Sequence, residues 1–267
     1  MSIQFTKMQS LGNDFVVIDA TAQTITPTIP WIQHIADRHL GVGCDQVLLL
    51  TKTSPIEADF GYRIFNADGK EVYQCGNGAR CMGLFAQRLT GKNNFVLATK
   101  THSLRVRCED SKTVSVDMPT PNFDPTSLPG DINDASFKKL PYLVQLVSLG
   151  NPHAVITESL TDNELIHMGK TLNACPAFPE GVNVEIAQVV SRGEIRLRVY
   201  ERGVGLTQAC GSGACAAAAV LRKAGLIENE VVIHQPGGAL RVTWDGTQSP
   251  MRAKGPANFV FEGVWID

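Results

Sequence analysis

The 267-residue chain has no excess of charge of either sign, with 24 Lys and Arg against 26 Asp and Glu. Without a basic surplus or a run of like charges, a nucleic-acid surface or a charged tail is not expected. The longest apolar stretch, Ala214 to Leu221, is too short to span a bilayer. The opening MSIQFTKMQS lacks the basic start and apolar run of a secretory leader. A cytoplasmic location is the expectation. The cysteines, seven in number, are Cys44, Cys75, Cys81, Cys108, Cys175, Cys210 and Cys215. An odd count in a chain of this size argues against a disulfide framework and for reduced thiols. Cys75 with Cys81 and Cys210 with Cys215 are spaced by 6 and 5, unlike the knuckles of structural zinc sites. No G-x-x-x-x-G-K-[ST] phosphate loop occurs. Gly211, Gly213 and Ala216 fit G-x-G-x-x-A, but no strand–helix–strand pattern surrounds them. The glycine segments contain no lysine for a Schiff base with pyridoxal phosphate. No metal and no cofactor is expected.

What the chain does have is a repeat of itself. Ser10-Leu11-Gly12-Asn13 recurs as Ser148-Leu149-Gly150-Asn151. Arg63-Ile64-Phe65-Asn66 is echoed by Arg198-Val199-Tyr200-Glu201, and Leu104-Arg105-Val106 by Leu240-Arg241-Val242. Cys75-Gly76-Asn77-Gly78-Ala79 is echoed by Cys210-Gly211-Ser212-Gly213-Ala214. Four matches in the same order, at offsets of 135 to 138 residues, point to duplication of one unit. The expected halves are residues 1–118 plus 256–267, carrying Cys75, and residues 119–255, carrying Cys210. Pro119, Pro121, Pro125 and Pro129 interrupt regular structure at the boundary.

Both halves read alike in secondary structure. Strands are expected at Phe15–Ile18, Tyr62–Phe65, Val114–Met118, Ala154–Ile156, Glu194–Tyr200 and Val231–His234. Helices are expected over Pro30–His39, Ala79–Leu89 and Ala214–Ala224. The last is nearly all small and apolar, hence buried. The expected fold class is α+β: two pseudo-symmetric domains, each an antiparallel sheet or barrel around a central buried helix, with the active site in the cleft between them.

Each half also reads strand, Cys-Gly-x-Gly-Ala, helix. Glycines allow a sharp turn and close approach of backbone N–H groups to a ligand. The free N–H groups and dipole of a helix start favour an anion. A cysteine there is expected to have its pKa lowered from about 8.5 into the range of roughly 3.5 to 7.5. Two such cysteines suit stereoinversion at carbon. One thiolate removes an α-proton while the opposite thiol protonates the other face. The charge pushed into a carboxylate is stabilised by fixed N–H donors. The alternative for a cysteine is packing as a small hydrophobe, and that is the reading for Cys44, Cys81, Cys108, Cys175 and Cys215. Two facing thiols would also be able to form a disulfide, a liability of such a site rather than its purpose.

Cys75-Gly76-Asn77-Gly78-Ala79-Arg80-Cys81, Glu201-Arg202-Gly203 and Ala209-Cys210-Gly211-Ser212-Gly213 resemble the diaminopimelate epimerases. So do Leu11 to Phe15, Asp37 to Gly43, Phe65 to Gly69 and Gly150-Asn151-Pro152-His153. The likeness runs essentially end to end. It implies interconversion of LL- and meso-diaminopimelate, a step towards lysine and the cell wall, without metal or pyridoxal phosphate. It implies Cys75 and Cys210 as the acid/base pair, with backbone N–H groups at Gly76-Asn77 and Gly211-Ser212 on the reacting carboxylate. Asn13, Gln46, Asn66, Asn151, Asn183, Glu201 and Arg202 would bind the rest of the substrate. Asparagine both donates and accepts, and arginine grips a carboxylate with two prongs. Each asparagine also suits a turn. Recurrence favours function for Asn13 and Asn151, whereas Asn183 rests on the resemblance. His153 and Glu201 are implied to tune the thiols. A homodimer is implied, with Phe261 where a tyrosine is usual. Leu206 stands where glutamate is usual, Gln9-Ser10 where His-Gly is commoner, and the loop from Thr99 to Ser103 lacks the usual glycine. A racemase for another amino acid and a non-enzymatic binding or redox-sensing protein are the competing readings.

Overall fold

A computed structural model describes residues 2–54, 58–72, 74–124, 126 and 140–266. Pro125 and Pro129 of the expected boundary lie outside them. The chain forms two compact units: residues 1–117 with 254–267, and residues 118–253. The elements run in order as β1 (Ser2–Ser10), β2 (Asn13–Asp19), α1 (Ile29–Ala36), β3 (Gln46–Thr51), β4 (Phe60–Asn66), β5 (Glu71–Val72) and α2 (Gly76–Thr90). Then come β6 (Asn94–Ala98), β7 (Ser103–Cys108), β8 (Thr113–Met118), β9 (Val144–Ser148), β10 (Pro152–Ile156), α3 (Asp162–Asn173), β11 (Asn183–Ser191) and β12 (Glu194–Glu201). The chain ends with β13 (Gly205–Thr207), α4 (Gly211–Lys223), β14 (Glu230–Gln235), β15 (Gly238–Thr243), β16 (Met251–Pro256) and β17 (Asn258–Ile266).

The two units share one pairing scheme. In the first, β1–β2, β3–β4, β4–β5 and β6–β7 are antiparallel. In the second, β9–β10, β11–β12, β12–β13 and β14–β15 repeat this. The sheets are mixed, however, where antiparallel ones were expected. β2 runs parallel to β3 and β4 to β6, and their counterparts β10–β11 and β12–β14 are parallel too. A parallel neighbour needs a crossover connection. α1 and α3 supply the first crossover of each unit, α2 and α4 the second.

These crossovers bury both faces of the central strands. Every residue of Phe15–Ile18 and of Val47–Leu50 is buried, as continuous apolar strands between helices should be. On the outer side, Val16, Ile18, Val47 and Leu49 pack with Ile32 and Ile35 of α1. In the second unit Ala154, Ile156, Val184 and Ile186 pack with Leu165, Met168 and Leu172 of α3. Leu206 joins that apolar cluster, which is what the leucine does in place of the usual glutamate. The inner side belongs to α2, buried from Asn77 through Ala86, and to α4, buried from Gly213 through Leu221. α2 touches β1, β2, β3, β6 and β7, and α4 touches β9, β10, β11, β12 and β15. Each unit therefore wraps its strands around one helix.

Three helix bounds differ from expectation by three residues, and the other three by one. α1 ends at Ala36 rather than His39, because Asp37 turns extended (φ −61°, ψ 129°). Its carboxylate then accepts the N–H groups of His39 and Leu40, both at 2.7 Å. α2 and α4 begin at Gly76 and Gly211, three residues before the alanines where they were expected. The glycines were read as turn residues. They belong instead to the first helical turn, and their task is close approach. A Cβ on Gly78 would lie 2.4 Å from the Tyr62 hydroxyl, and one on Gly213 would lie 2.9 Å from Glu185 Oε1.

The same tightness holds along α2, where a Cβ on Gly83 would lie 2.3 Å from Val106 Cγ1 on β7. Overpacking a core by one methyl costs about 1–3 kcal/mol, against roughly 1 kcal/mol gained from alanine's helix propensity. Gly83→Ala is expected to lower stability by up to about 2 kcal/mol on that balance, read from the urea unfolding midpoint. An unchanged or raised midpoint would mean that Val106 gives way.

Candidate active site

In the first unit Cys75 is the N-cap of α2, with extended backbone (φ −155°, ψ 102°). Its Sγ accepts the Gly78 N–H at 3.2 Å, the bond usually made by a Ser, Thr, Asp or Asn oxygen. Asn13 opens β2 directly after a tight turn in which Leu11 (φ 55°) and Gly12 (φ 80°) are both left-handed. That turn brings the Asn13 side chain to the thiol, with Oδ1 3.9 Å from Cys75 Sγ. Asn77 Nδ2 donates to the same oxygen at 3.5 Å. Asn13 Nδ2 in turn donates to Asp45 Oδ2 at 2.8 Å. On the facing ends of β3 and β4, Gln46 Nε2 donates to Asn66 Oδ1 at 2.8 Å. Gln46 Oε1 is buried and takes part in no hydrogen bond among the described residues.

An ion network holds this end of the first unit. Asp14 accepts from Lys7 and from Arg38, and Arg38 also reaches Asp45 at 2.8 Å. Burial raises the Asp14 pKa, but the Arg38 and Lys7 hydrogen bonds and charges outweigh it and hold the group at about 2. Asp14 stays charged at any ordinary pH.

In the second unit Cys210 is the N-cap of α4 (φ −122°, ψ 120°), and its Sγ accepts the Gly213 N–H at 3.3 Å. Ser212 Oγ lies 3.5 Å from the same sulfur. The Cys210 N–H donates to Gln235 Oε1 at 2.8 Å, which fixes the residue from behind. Glu201, at the end of β12, accepts from the Thr207 hydroxyl at 2.7 Å. His153 on β10 is wholly buried. Its Nδ1 is 2.7 Å from Glu185 Oε1, and its Nε2 is 3.2 Å from Asn151 Oδ1. Asn183 Oδ1 accepts the Arg202 N–H at 2.9 Å, and Arg202 Nη1 donates to the Glu180 carbonyl at 3.0 Å.

The protonation of the second unit departs from expectation. Burial pushes the Cys210 thiol well above its ordinary value, and the Glu201 carboxylate pushes it further. Ser212 and the Gly213 N–H oppose this without prevailing. The lowering expected from the helix start is thus reversed at Cys210, because desolvation of a thiolate outweighs the dipole and one N–H donor. Burial also raises Glu201 and Glu185.

Each half therefore gathers its share of the predicted residues. Cys75, Asn77 and Asn13 meet, Gln46 meets Asn66, Asn151 meets His153, and Asn183 meets the Arg202 backbone. Gly76 and Gly211 are the first helical residues, whose N–H groups have no acceptor inside the helix. Sequence reasoning missed Glu185, Asp45, Arg80 and Gln235. Glu185 had a signal: it is the one acidic residue in the apolar stretch Val182 to Ala187. Among the described residues no cysteine is in a disulfide, and Cys44, Cys81, Cys108, Cys175 and Cys215 are buried. Among the described residues, no helix is long and apolar enough to cross a membrane.

The sequence profile described as diaminopimelate epimerase matches residues 5–123 and 145–260. The chain belongs to the diaminopimelate epimerase family. A diaminopimelate epimerase of Coxiella burnetii is 44% identical over the whole of both chains. One from Legionella pneumophila (strain Paris) is 43% identical, again over all of both. A Teredinibacter turnerae relative of the same name is 42% identical over 98% of this chain and 99% of its own. Among solved structures, a hydroxyproline epimerase from Agrobacterium vitis superposes with a TM-score of 0.72 at 16% identity, covering 99% of this chain and 91% of that one. A phenazine biosynthesis protein of Bacillus anthracis, of the PhzF family, gives 0.68 at 17% over the full length of both. At those identities the two structures share the fold. The family match spans both segments that build the capped helix starts.

The raised Cys210 thiol yields a sign that can be checked. A carboxylate beside a thiol opposes the thiolate, so neutralising it lowers the thiol pKa. In Glu201→Gln, Cys210 is expected to ionise at lower pH than in the parent protein. Ultraviolet thiolate absorbance during a pH titration, with a Cys210→Ser control to assign the signal, measures it. An unmoved titration would show that Glu201 carries no charge facing the sulfur.

Proposed function

We propose that the protein interconverts LL-2,6-diaminopimelate and meso-2,6-diaminopimelate by two-base proton transfer between Cys75 and Cys210. The step serves lysine and peptidoglycan precursor synthesis. The observation that carries this reading is the duplicated cap: in each unit a cysteine sulfur sits at the N-terminus of a buried helix and accepts the third N–H. A thiolate takes the α-proton from one face, and the electron pair of the C–H bond delocalises into the adjacent carboxylate. The opposite thiol then gives its proton to the other face, so thiol and thiolate exchange roles. The carboxylate gains charge in the transition state, where the first-turn N–H groups at Gly76-Asn77 and Gly211-Ser212 stabilise it. The environment of Cys210 favours the protonated thiol, which makes it the proton donor when Cys75 acts as base. His153 and Glu201 tune that balance.

A substrate with two ammonium and two carboxylate groups needs many donors and acceptors. Asn13 and Asn151 suit the amino group near the reacting carbon. Asn66, Asn183 and Arg202 suit the distal zwitterion, with Gln46 orienting Asn66 and keeping Oε1 for an ammonium. Arg202 offers a guanidinium about a third exposed, one prong of which is engaged by a backbone carbonyl. The thiols supply the proton chemistry themselves, so the reading calls for neither metal nor pyridoxal phosphate. The protein is read as cytoplasmic and as a homodimer. The exposed apolar side chains of Val260, Phe261 and Val264 on β17 support a second copy of the chain as partner.

Incubation with LL-diaminopimelate in deuterated water, followed by NMR, tests the reaction. The expected outcome is deuterium at the α-carbon together with the meso isomer. In Cys75→Ala and Cys210→Ala, turnover should fall by at least about 10²–10⁴-fold, the usual worth of a general acid or base. Absence of both exchange and meso product with the intact protein would overturn the substrate, and proline and other amino acids would then be screened. For the dimer, sedimentation equilibrium is expected to give twice the chain mass, and Phe261→Glu to shift it towards the monomer. A monomeric parent protein would end that part of the reading.

A further inference from the structure

We infer that Asp45 and Arg80 set the polarity of a relay of side-chain amides that ends on Cys75, so that Asn13 presents its carbonyl oxygen, and not its NH₂, to the thiol. The inference rests on the reading of Cys75 as an acid/base group. It adds two positioning residues to it.

The argument begins from donor inventory. A guanidinium only donates and a carboxylate only accepts, whereas an asparagine amide has one end of each kind and can turn over. Arg80 is wholly buried in α2, and its Nη2 donates to Asn77 Oδ1 at 2.5 Å. Arg80 is itself fixed by Ser10 Oγ at 2.8 Å and by the Pro256 carbonyl at 3.4 Å. With its oxygen taken by Arg80, Asn77 must turn Nδ2 to Asn13 Oδ1, 3.5 Å away. At the far end Asp45 Oδ2 must meet a donor, and it meets Asn13 Nδ2 at 2.8 Å. Asp45 is held in place by Arg38 at 2.8 Å and by the Asp14 N–H at 3.1 Å. Turning Asn77 over would set N–H against N–H where that residue is 3% exposed, and turning Asn13 over would set oxygen against the Asp45 carboxylate at the exposed end of the relay.

Of the Asn13 amide, it is the oxygen that faces the sulfur. Asn13 Oδ1 is 3.9 Å from Cys75 Sγ and can only accept. It offers a partner to the S–H of the thiol and none to a thiolate, while the Gly78 N–H serves both states. The relay therefore holds Cys75 back from ionising. Among the described residues of the first unit, the other charged and titratable groups about Cys75 include Tyr62 from β4 and Arg80 and Cys81 from α2, with Lys7, Asp14 and Arg38 beyond Asn13. Burial raises Tyr62 and Cys81, which stay neutral.

The test follows the rate of iodoacetamide alkylation at Cys75 against pH, located by peptide mass spectrometry, in the full chain. It needs no substrate, so it stands apart from the assignment of the reaction. In Asp45→Asn, Asn13 is free to turn over and donate to the sulfur. The profile should move to lower pH by about one unit, or roughly tenfold faster alkylation on its rising limb. Removing a negative charge acts in the same direction. Asp14→Asn is therefore the control that removes a charge but not the bond to Asn13, and both variants are read in high salt, where exposed charge is screened. A shift confined to Asp45→Asn supports the relay. Equal shifts in both variants, or none in Asp45→Asn, overturn it. Should Asp45→Asn fail to fold, nitrogen NMR of the intact protein decides. Asn13 Nδ2 protons bonded to Asp45 support the relay, and an amide that turns freely overturns it.

Discussion

The structure depends on a helix start that is set among strands and capped by sulfur. A helix leaves its first N–H groups without partners, and in each unit this end lies inside a wrapped sheet. Sulfur takes one of those N–H groups where oxygen would cap more strongly. The rest follows from making that start accessible to an anion. The N–H groups of the two residues after the cysteine have no acceptor inside their own helix. The third residue is glycine, because Tyr62 in one unit and Glu185 in the other stand where a Cβ would be. The strands on either side run parallel because the helix itself is the crossover between them.

Duplication makes the two starts alike, and substitution at matching positions makes their chemistry unlike. The shared register of β2–β3 and β10–β11 aligns Phe15 with His153, Gln46 with Asn183 and Leu48 with Glu185. The Cβ positions at Gly78 and Gly213 agree, since Leu48 borders one and Glu185 the other. Along the helices, Arg80 aligns with Cys215. The first unit therefore puts a buried cation on the helix and apolar residues at the matching positions of β2 and β3. The second puts a histidine and a carboxylate on the strands and leaves the helix apolar. Asn66 against Glu201 continues the contrast. A full carboxylate charge beside Cys210 works against its thiolate more strongly than the single amide oxygen that faces Cys75. On the proposed reading, this inequality is what would let one thiol rest protonated while its counterpart acts as base.

Much of this was legible in the sequence because the informative features were local. Cys-Gly-x-Gly-Ala and Ser-Leu-Gly-Asn are contiguous, so the repeat could be found without any fold in hand. The helices they open were placed three residues late, since glycine reads as a breaker unless the neighbour that requires it is known. Tyr62 and Glu185 lie on strands distant in sequence from Gly78 and Gly213. The parallel pairs were missed because alternation along a strand reports which face is buried and not the direction of its neighbour. The Asn13–Asp45 bond joins residues thirty-two apart, and nothing in either segment announces it.

The thiol of Cys210 shows where local reasoning reverses sign. A helix N-terminus adds about half a positive charge and favours an anion, and that much can be read from the motif. Desolvation of the anion depends on everything packed around it, and in a site enclosed by Ala209, Gln235, Glu185 and Glu201 it is the larger effect. The same enclosure strengthens every remaining interaction. The Gly213 N–H and Ser212 hydroxyl count for more around a buried thiolate than they would in water. A site built this way disfavours the free thiolate and yet has its stabilising groups already in place. It is the arrangement a proton donor needs if it must become a base on the return step.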